Sequence, residues 1–258
     1  MRVDNVSYRS YSVYMKVRDM TMATERDFIP ALPWLWAYDL VTAADPRERR
    51  WRRALLRQMD PRPSDVVADI GCGTGTFLAL LGRTAKCAKL IGIDPDERIL
   101  HRARRKLNSA GIMATLERGY LRDVGALLAR VSVNKIVSSL VFHHVPLAEK
   151  RAGLSSIYSA LRPGGELHVA DFGLQRTRLM RSLFKIVQCA DGRENTQPNA
   201  DGILPSLMEE AGFEQVQETA VIPTLSGSIS LYKAIRPRTE GADRNIVYPN
   251  HVPLWLDL

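Results

Sequence analysis

The stretch Val66-Val67-Ala68-Asp69-Ile70-Gly71-Cys72-Gly73-Thr74-Gly75 decides the predicted fold. A short β-branched run ends in an acidic residue, a glycine-rich turn follows, and the helix-like segment Thr76–Leu81 continues from it. This order predicts a bare backbone turn at the carboxyl end of a parallel strand, where open α/β sheets bind ligands. The glycine spacing departs from the G-x-G-x-x-G pattern of dinucleotide sites, so a cofactor without phosphates is favoured over a pyrophosphate.

A second acid follows the next predicted strand. Lys89–Ile93 has the pattern of a buried strand and leads into Asp94-Pro95-Asp96. The interval between Asp69 and Asp94 is close to the one at which a βαβ unit places an acid that accepts hydrogen bonds from ribose hydroxyls. Farther on, Leu161-Arg162-Pro163-Gly164-Gly165 precedes the predicted strand Glu166–Ala170. Proline ends the preceding helix there, and the two glycines predict a tight reversal into the strand.

Together these three features resemble class I S-adenosylmethionine-dependent methyltransferases. The segment from Asp69 to Gly75 resembles motif I of that family, and the turn before strand five resembles its "LKPGG" element. Within the family the chain looks closest to the quinone-type C-methylases, because Tyr38-Asp39-Leu40-Val41 resembles their "YD" element. The resemblance implies S-adenosyl-L-methionine as cofactor. It also implies a Rossmann-like, doubly wound α/β fold with a mostly parallel seven-stranded sheet in the order 3-2-1-4-5-7-6 and an N-terminal helical extension.

The resemblance further implies residues that hold the cofactor. Asp94 takes the ribose diol. At the place where many members carry an acid for the adenine amino group, this chain has Tyr120 after Gly119. Either Tyr120 stacks on adenine, or Asp123 supplies the carboxylate, or Tyr120 is a plain loop aromatic. Cys72 is expected to fill the turn and not to act as a nucleophile. The predicted cofactor contacts are Asp69, Gly71, Cys72, Gly73, Gly75, Asp94, Pro95, Tyr120 and Ser139.

His143 and His144, directly after predicted strand four (Asn134–Leu140), are candidate catalytic residues. An imidazole titrates near neutrality, so one of them is a candidate general base. Because side chains alternate along a strand, at most one is expected to face the substrate. Purely structural roles for both remain the alternative. No metal is predicted, since no Cys, Asp or Glu partner stands at ligand spacing. Tyr38, whose hydroxyl the resemblance puts near the cofactor, is the third candidate.

The sequence also predicts a weak third strand at Ile112–Leu116, a helix at Thr177–Ala190 and a polar loop at Glu194-Asn195-Thr196.

The chain divides into three predicted segments. The segments are an N-terminal arm and helical cap (1–60), a methyltransferase core (61–237) with a substrate-covering insertion at about 174–200, and a tail (238–258).

Charge leaves the acceptor open. The net charge is +8, and seven arginines lie in a short span: Arg47, Arg49, Arg50, Arg52, Arg53, Arg57 and Arg62. Such a cluster is typical of nucleic-acid or anionic-lipid contact. The period of Trp51, Leu55 and Met59 instead favours an ordinary surface helix with one buried stripe.

Three readings of function remain. A small-molecule or lipophilic methyl acceptor is favoured, because Ser138–His144 lacks the N-P-P-Y motif of many nucleic-acid enzymes. An RNA methyltransferase and a non-catalytic cofactor-binding protein are the alternatives. No apolar run reaches the ~20 residues of a membrane span, and no secretory signal is evident. We therefore expect a cytoplasmic protein without nucleic-acid partners and with at most peripheral membrane contact. Its oligomeric state is not indicated.

Overall fold

A computed structural model of the chain describes residues 46–85 and 89–238, which form one seven-stranded sheet and the helices around it. The helices and strands are α1 Pro46–Met59, β1 Val66–Ile70, α2 Thr76–Thr84, β2 Lys89–Asp94, α3 Glu97–Ser109, β3 Thr115–Arg118, α4 Val124–Leu127, β4 Val133–Ser139, α5 Leu147–Ala160, β5 Leu161–Phe172, α6 Arg178–Asp191, α7 Arg193–Ala200, α8 Leu204–Glu210, β6 Glu214–Thr224 and β7 Gly227–Ile235. Short 3₁₀ turns at Leu121–Asp123 and Phe142–His144 complete the set.

The sheet order is β3-β2-β1-β4-β5-β7-β6, which confirms the predicted doubly wound topology. Strands β1 to β5 pair in parallel, and β7 is antiparallel to both β5 and β6. The carboxyl ends of β1, β2, β4 and β5 therefore meet at one edge of the sheet, on either side of the point where the strand order reverses. Every predicted site residue from Asp69 onward lies near that edge.

Apolar side chains cover both faces of the central strands, as expected for parallel strands between helices. In β1, Ala68 and Ile70 join one cluster with Leu154 and Ile157 of α5. Val67 joins the other cluster, which includes four side chains of α2, namely Phe77, Leu78, Ala79 and Leu81. The alternation of β1 between the two clusters fixes the direction of Asp69, because a shift by one residue would exchange the two faces.

Helix α1 packs on the sheet through the predicted stripe. Trp51, Leu55 and Met59 are each at most 1% exposed, and Gln58 donates from Nε2 to the carbonyl of Tyr232 in β7 at 2.8 Å. Four of the predicted basic residues, Arg49, Arg50, Arg53 and Arg57, are exposed. Arg52 differs from them, since it is only partly exposed. Burial of this stripe against the sheet thus accounts for the amphipathic pattern of α1, and no nucleic-acid or lipid partner is needed to explain it.

The third strand begins later than predicted, at Thr115 and not at Ile112. Helix α3 ends in a capping turn in which Gly111 has φ +66°, and the amide of Ile112 donates back to the carbonyl of Leu107 at 2.9 Å. Ile112 therefore closes the helix as part of a Schellman-type cap. Its apolar side chain serves that cap, which is why the strand pattern there was misleading.

His143 and His144 follow β4, as predicted, but the strand alternation expected for their side chains does not hold. Strand β4 ends at Ser139, and Leu140 adopts φ +57°, a conformation that breaks the extended chain. The two histidines form the 3₁₀ turn Phe142–His144. Strand alternation does not apply to them, and their rings lie on the same side, with centroids 3.9 Å apart.

Two further boundaries differ from the sequence prediction. Strand β5 already pairs at Leu161, opposite Val133, and the predicted Pro-Gly-Gly turn lies within it as an irregularity of the register. The segment predicted as the polar loop Glu194-Asn195-Thr196 is part of helix α7, in which Thr196 is fully buried. No helix in the described ranges has the length and apolarity needed to cross a bilayer.

Candidate cofactor and acceptor site

The glycine loop after β1 is held against the end of β2. The amides of Gly71 and Cys72 both donate to the carbonyl of Ile93, at 2.8 and 3.0 Å. Gly71, Gly73 and Gly75 have φ values of +69°, +53° and +72°, a region that favours glycine. A methyl group on Gly71 would lie 2.2 Å from Cγ2 of Val141, whereas one on Gly73 would have no neighbour within 4 Å. The loop therefore packs against Val141 on one side and leaves open space above Gly73.

Asp94 holds this loop from the end of β2. Its Oδ2 accepts from the amide of Gly73 at 2.9 Å, and its Oδ1 accepts from the amide of Asp96 at 3.0 Å. Burial raises the pKa of Asp94, and the two backbone hydrogen bonds oppose that rise. Each carboxylate oxygen has a second lone pair, so both retain capacity for a ligand hydroxyl. The neighbouring Pro95 accepts from Nε of Arg118 at 3.1 Å, which fixes the turn.

Asp69 is a buried carboxylate near the carboxyl end of β1. It is 1% exposed, and neither of its oxygens has a hydrogen-bond partner in the part of the chain that the structure describes. Burial raises the pKa of Asp69 to about 7, against the charge of Arg52, while the charge of Asp94 adds to the rise. A buried charge without a partner is costly. A cationic ligand above the loop would relieve this cost, and S-adenosylmethionine carries both an ammonium and a sulfonium.

Cys72 is not activated. Its thiol is buried, and burial raises its pKa, with further increases from the charges of Asp69 and Asp94. The thiol therefore stays protonated and serves as a small apolar filler in the loop.

The predicted adenine region lies after β3. The amide of Tyr120 donates to Oδ2 of Asp123 at 3.0 Å, and the guanidinium of Arg122 lies 5.0 Å from the centre of the Tyr120 ring. Asp123 is thus engaged by the backbone, while Tyr120 is partly exposed. Ser139, the last residue of β4, pairs with Ala170 at the same sheet edge. Tyr38 lies outside the described residues.

The histidine turn is organised by Asp171, which lies near the carboxyl end of β5. Its Oδ2 accepts from the amides of Val141 and Phe142 at 2.9 and 2.7 Å, and its Oδ1 lies 2.7 Å from Nδ1 of His143. Burial alone would raise the pKa of Asp171, but the charges and hydrogen bond of the nearby cations outweigh it and the pKa is lowered. The ionised carboxylate accepts from His143, so Nδ1 of His143 carries the proton.

Burial also lowers the pKa of His143, with a contribution from His144, although Asp171 opposes this shift. His143 is 2% exposed in its side chain, whereas the side chain of His144 is 30% exposed. The two histidines thus have different surroundings: the first is locked in the interior, and the second reaches the surface of the edge.

Helix α7 is anchored directly on this turn. The buried Lys150 of α5 donates from Nζ to the carbonyls of Phe142, Val145 and Asn195 at 2.5, 2.6 and 2.9 Å. Asn195 of α7 donates from Nδ2 to the carbonyl of His144 at 2.9 Å. Burial lowers the pKa of Lys150 to about 8. These contacts hold α7 over the histidine turn.

The last residue of α6 completes the cluster and corrects one expectation. Oδ1 of Asp191 lies 3.4 Å from Nδ1 of His144, and Oδ2 lies 3.7 Å from Nε2 of His143. The sequence offered no carboxylate near the histidine pair, and on that ground no metal was predicted. That reason does not hold in the folded chain, because the fold brings Asp191 at the end of α6 next to the two histidines.

The sequence prediction missed four residues that build this site. Asp171 ends an apolar strand in the same way as Asp69 and Asp94, so the acid-after-strand pattern was a usable signal for it. No sequence signal marked the other three, Lys150, Asp191 and Asn195. They lie on helices, and their roles depend on how those helices pack against the turn.

Comparisons with known proteins agree with this geometry. Residues 67–165 match a family described as a methyltransferase domain. The ubiquinone/menaquinone biosynthesis C-methyltransferase of Shewanella pealeana is 26% identical over 214 residues, covering 73% of this chain and 80% of that protein. The carboxy-S-adenosyl-L-methionine synthase of Trichodesmium erythraeum is 33% identical over 122 residues, 47% of this chain and 46% of that protein.

A solved structure extends the likeness across the fold. The magnesium protoporphyrin IX methyltransferase of Synechocystis, with bound S-adenosylhomocysteine, superposes with a TM-score of 0.58 at 21% identity, covering 86% of this chain and 99% of that one. The sheet order, the glycine loop and the matched domain make the chain a class I S-adenosylmethionine-dependent methyltransferase. Its cofactor is S-adenosyl-L-methionine.

Proposed function

We propose that this methyltransferase acts on a small, lipophilic acceptor that binds at the histidine turn, beneath α6 and α7. One observation carries the proposal: Val141 contacts Gly71 of the cofactor loop, and His144 follows three residues later under the anchored insertion. The acceptor and the cofactor loop then share one edge of the sheet. Methyl transfer from a sulfonium is an in-line displacement, so such proximity and the exclusion of water are the main contributions of the protein.

The cofactor supplies an activated methyl group on a good leaving group. We assign the ribose hydroxyls to Asp94 and the close backbone approach to Gly71, Gly73 and Gly75. Asp69 lies beneath the loop and offers a carboxylate to the cationic end of the cofactor. Cys72, Pro95, Tyr120 and Ser139 complete the proposed contacts.

Of the two histidines, His144 is the one we assign to the acceptor. Nδ1–H of His143 donates a hydrogen bond to Asp171, and the buried ring has little access to solvent. His144 is partly exposed and has Asp191 beside it. The ring of His144 reaches the surface of this edge, where an imidazole can take a proton from an acceptor hydroxyl. His143 then holds the turn in place.

The covering insertion favours a lipophilic acceptor. Phe184 and Val187 bury one face of α6, while Leu179 and Ile186 on the same helix are 62% and 57% exposed. Their spacing of seven residues places them on one face of the helix, and we infer that this apolar face contacts a lipophilic molecule. Two of the similar proteins are named for ubiquinone/menaquinone biosynthesis and for magnesium protoporphyrin IX, and these names favour a small-molecule acceptor.

The test is a methyl-transfer assay on fractionated extracts of cells that lack the gene. Purified protein and S-adenosylmethionine labelled in the methyl group are added to the small-molecule, lipid and RNA fractions. We expect label in the small-molecule or lipid fraction only. Label in RNA would contradict the proposal and favour a nucleic-acid acceptor. No label in any fraction, with S-adenosylhomocysteine still bound, would favour a non-catalytic cofactor-binding protein.

A further inference from the structure

Three donor groups converge at the histidine turn. One ligand atom from each of His143, His144 and Asp191 lies within 4.8 Å of the other two. The ring nitrogens near Asp191 are Nε2 of His143 and Nδ1 of His144. In a tetrahedral zinc site with metal–ligand distances of ~2.0–2.1 Å, two donor atoms lie about 3.3–3.5 Å apart. The His144–Asp191 and His143–Asp191 separations of 3.4 and 3.7 Å are close to that value.

The hydrogen bonds around the cluster leave its acceptors facing one another. Asp171 accepts a hydrogen bond from Nδ1–H of His143, so Nε2 is the ring nitrogen whose lone pair can face Asp191. Oδ2 of Asp191 is buried and has no hydrogen-bond partner within residues 46–85 and 89–238. A lone pair and a carboxylate oxygen 3.7 Å apart make no hydrogen bond, and a cation between them would satisfy both.

The surroundings match those of known metal sites. A histidine ligand commonly donates its second ring nitrogen to a carboxylate, which fixes the tautomer and raises its basicity. Asp171 occupies this outer position behind His143, and hydrogen bonds from the amides of Val141, Phe142 and Phe172 hold it there. The site is also secured from the other side, since Asn195 binds the carbonyl of His144.

We infer that His143, His144 and Asp191 form a site for a divalent transition metal ion such as zinc. Two imidazoles and one carboxylate suit zinc, iron, cobalt or nickel better than magnesium, which prefers oxygen ligands. Three protein ligands leave a coordination position open, as in catalytic metal sites.

This inference rests on the proposed function and deepens it. The open position would bind a hydroxyl oxygen of the acceptor beside the cofactor loop and lower the pKa of that hydroxyl. His144 then serves as a ligand, and the role of free base passes from it to solvent water. Water takes the proton of the bound hydroxyl, the oxygen forms a bond to the methyl carbon, and the carbon–sulfur bond breaks to release S-adenosylhomocysteine. The acceptor class becomes a lipophilic molecule that carries a hydroxyl group.

The experiment uses the full-length chain without a histidine tag, stripped with a chelator. Co²⁺ is titrated and followed by its visible d–d absorption, and Zn²⁺ is titrated by calorimetry. The test variants are Asp191→Asn and His144→Gln. The controls are His101→Gln, which removes an exposed histidine of α3, and Cys189→Ser, which removes an exposed thiol of α6.

We expect the unsubstituted protein and both controls to bind one ion per chain. Loss of a ligand should weaken binding by more than the roughly 10–100-fold that removal of an outer-sphere partner costs. His144 is partly exposed, so His144→Gln should keep the fold. Absence of binding, binding unchanged in both test variants, or binding lost in Cys189→Ser would overturn the inference.

Titration of the same samples with S-adenosylhomocysteine separates the two proposals. Metal binding requires neither cofactor nor acceptor. A protein that binds S-adenosylhomocysteine and methylates a small molecule without binding metal would contradict the metal site alone. A protein that binds metal but transfers label only to RNA would contradict the proposed acceptor alone.

Discussion

Oδ2 of Asp94 accepts a hydrogen bond from the amide of Gly73 across 2.9 Å, which joins the end of the second strand to the glycine loop after the first. The carboxylate that we assign to the ribose is therefore fixed by the same loop that approaches the cofactor. Groups held in place before a ligand arrives lose less entropy on binding. This contact links the two motifs on which the cofactor site depends.

Asp94→Ala should weaken the binding of S-adenosylhomocysteine by about 1.5–3 kcal/mol, the range for hydrogen bonds to a charged group. The fold should persist, because Asp94 is at a strand end and is partly exposed. Calorimetric titration measures the change. Glu97→Gln, at an exposed position in the first turn of α3, is the control and should bind normally. Equal affinity of Asp94→Ala and the unsubstituted protein for S-adenosylhomocysteine would contradict the assignment of Asp94 to the ribose hydroxyls.

Gly73→Val should abolish cofactor binding while the protein stays folded. The open space above Gly73 accommodates a β-branched side chain in the free protein, but that side chain would occupy the place of the ligand. Gly111→Val is a matched control, because Gly111 also has a positive φ, +66°, and no neighbour within 4 Å of an added methyl. Both substitutions should cost about 1–2 kcal/mol of stability through left-handed strain.

Circular dichroism and calorimetry together test this pair. Only Gly73→Val should lose affinity for S-adenosylhomocysteine. Retained binding in that variant would mean that the cofactor lies elsewhere.

Asp69 should make stability fall as pH rises. Its pKa is about 7 in the folded chain and 3.8 in the reference state, so the folded state holds the proton more tightly. Its contribution to stability is then fully present below pH 3.8 and is lost as the pH rises through about 7. At 1.36 kcal/mol for each pH unit, the loss is on the order of 4 kcal/mol.

Denaturant unfolding of the unsubstituted protein and of Asp69→Asn, from pH 4 to pH 8, measures this effect. The stability difference between the two should shift in favour of the variant as the pH rises. Parallel pH profiles would show that Asp69 does not titrate in this range.

The two histidines should respond differently to substitution by glutamine. His143→Gln should lower the free energy of unfolding by about 1–3 kcal/mol, since it disturbs a buried hydrogen bond to Asp171. His144→Gln should leave stability and S-adenosylhomocysteine affinity nearly unchanged and depress turnover of the acceptor. Thermal unfolding and methyl-transfer rates distinguish these effects. Normal turnover in His144→Gln, or an unchanged stability in His143→Gln, would reverse the respective assignment.

The sequence predicted the sheet order and the cofactor edge because their signals are local. Asp69 and Asp94 each lie at the carboxyl end of a buried strand, and the glycine turn directly follows the first of these strands. The third strand was misplaced because a helix cap at Gly111 uses Ile112 in a way that apolar alternation does not reveal.

The acceptor side of the site was predicted only in part, because it depends on tertiary docking. Asp191 approaches His144 only when α6 and α7 lie over the histidine turn. No residue next to the histidines in the sequence indicates that the carboxylate of Asp191 lies close to them. The left-handed Leu140, which takes the histidines out of the strand, likewise lacks the glycine or asparagine that usually marks such a position.

The most direct measurement is a crystal structure of the chain with S-adenosylhomocysteine. We expect the ribose hydroxyls within hydrogen-bond distance of Asp94, the backbone of Gly73 against the ligand, and the thioether sulfur facing the turn from Val141 to His144. A sulfur atom that points away from this turn, or a ligand bound at any other edge of the sheet, would contradict the central claim that cofactor and acceptor meet beside the histidines.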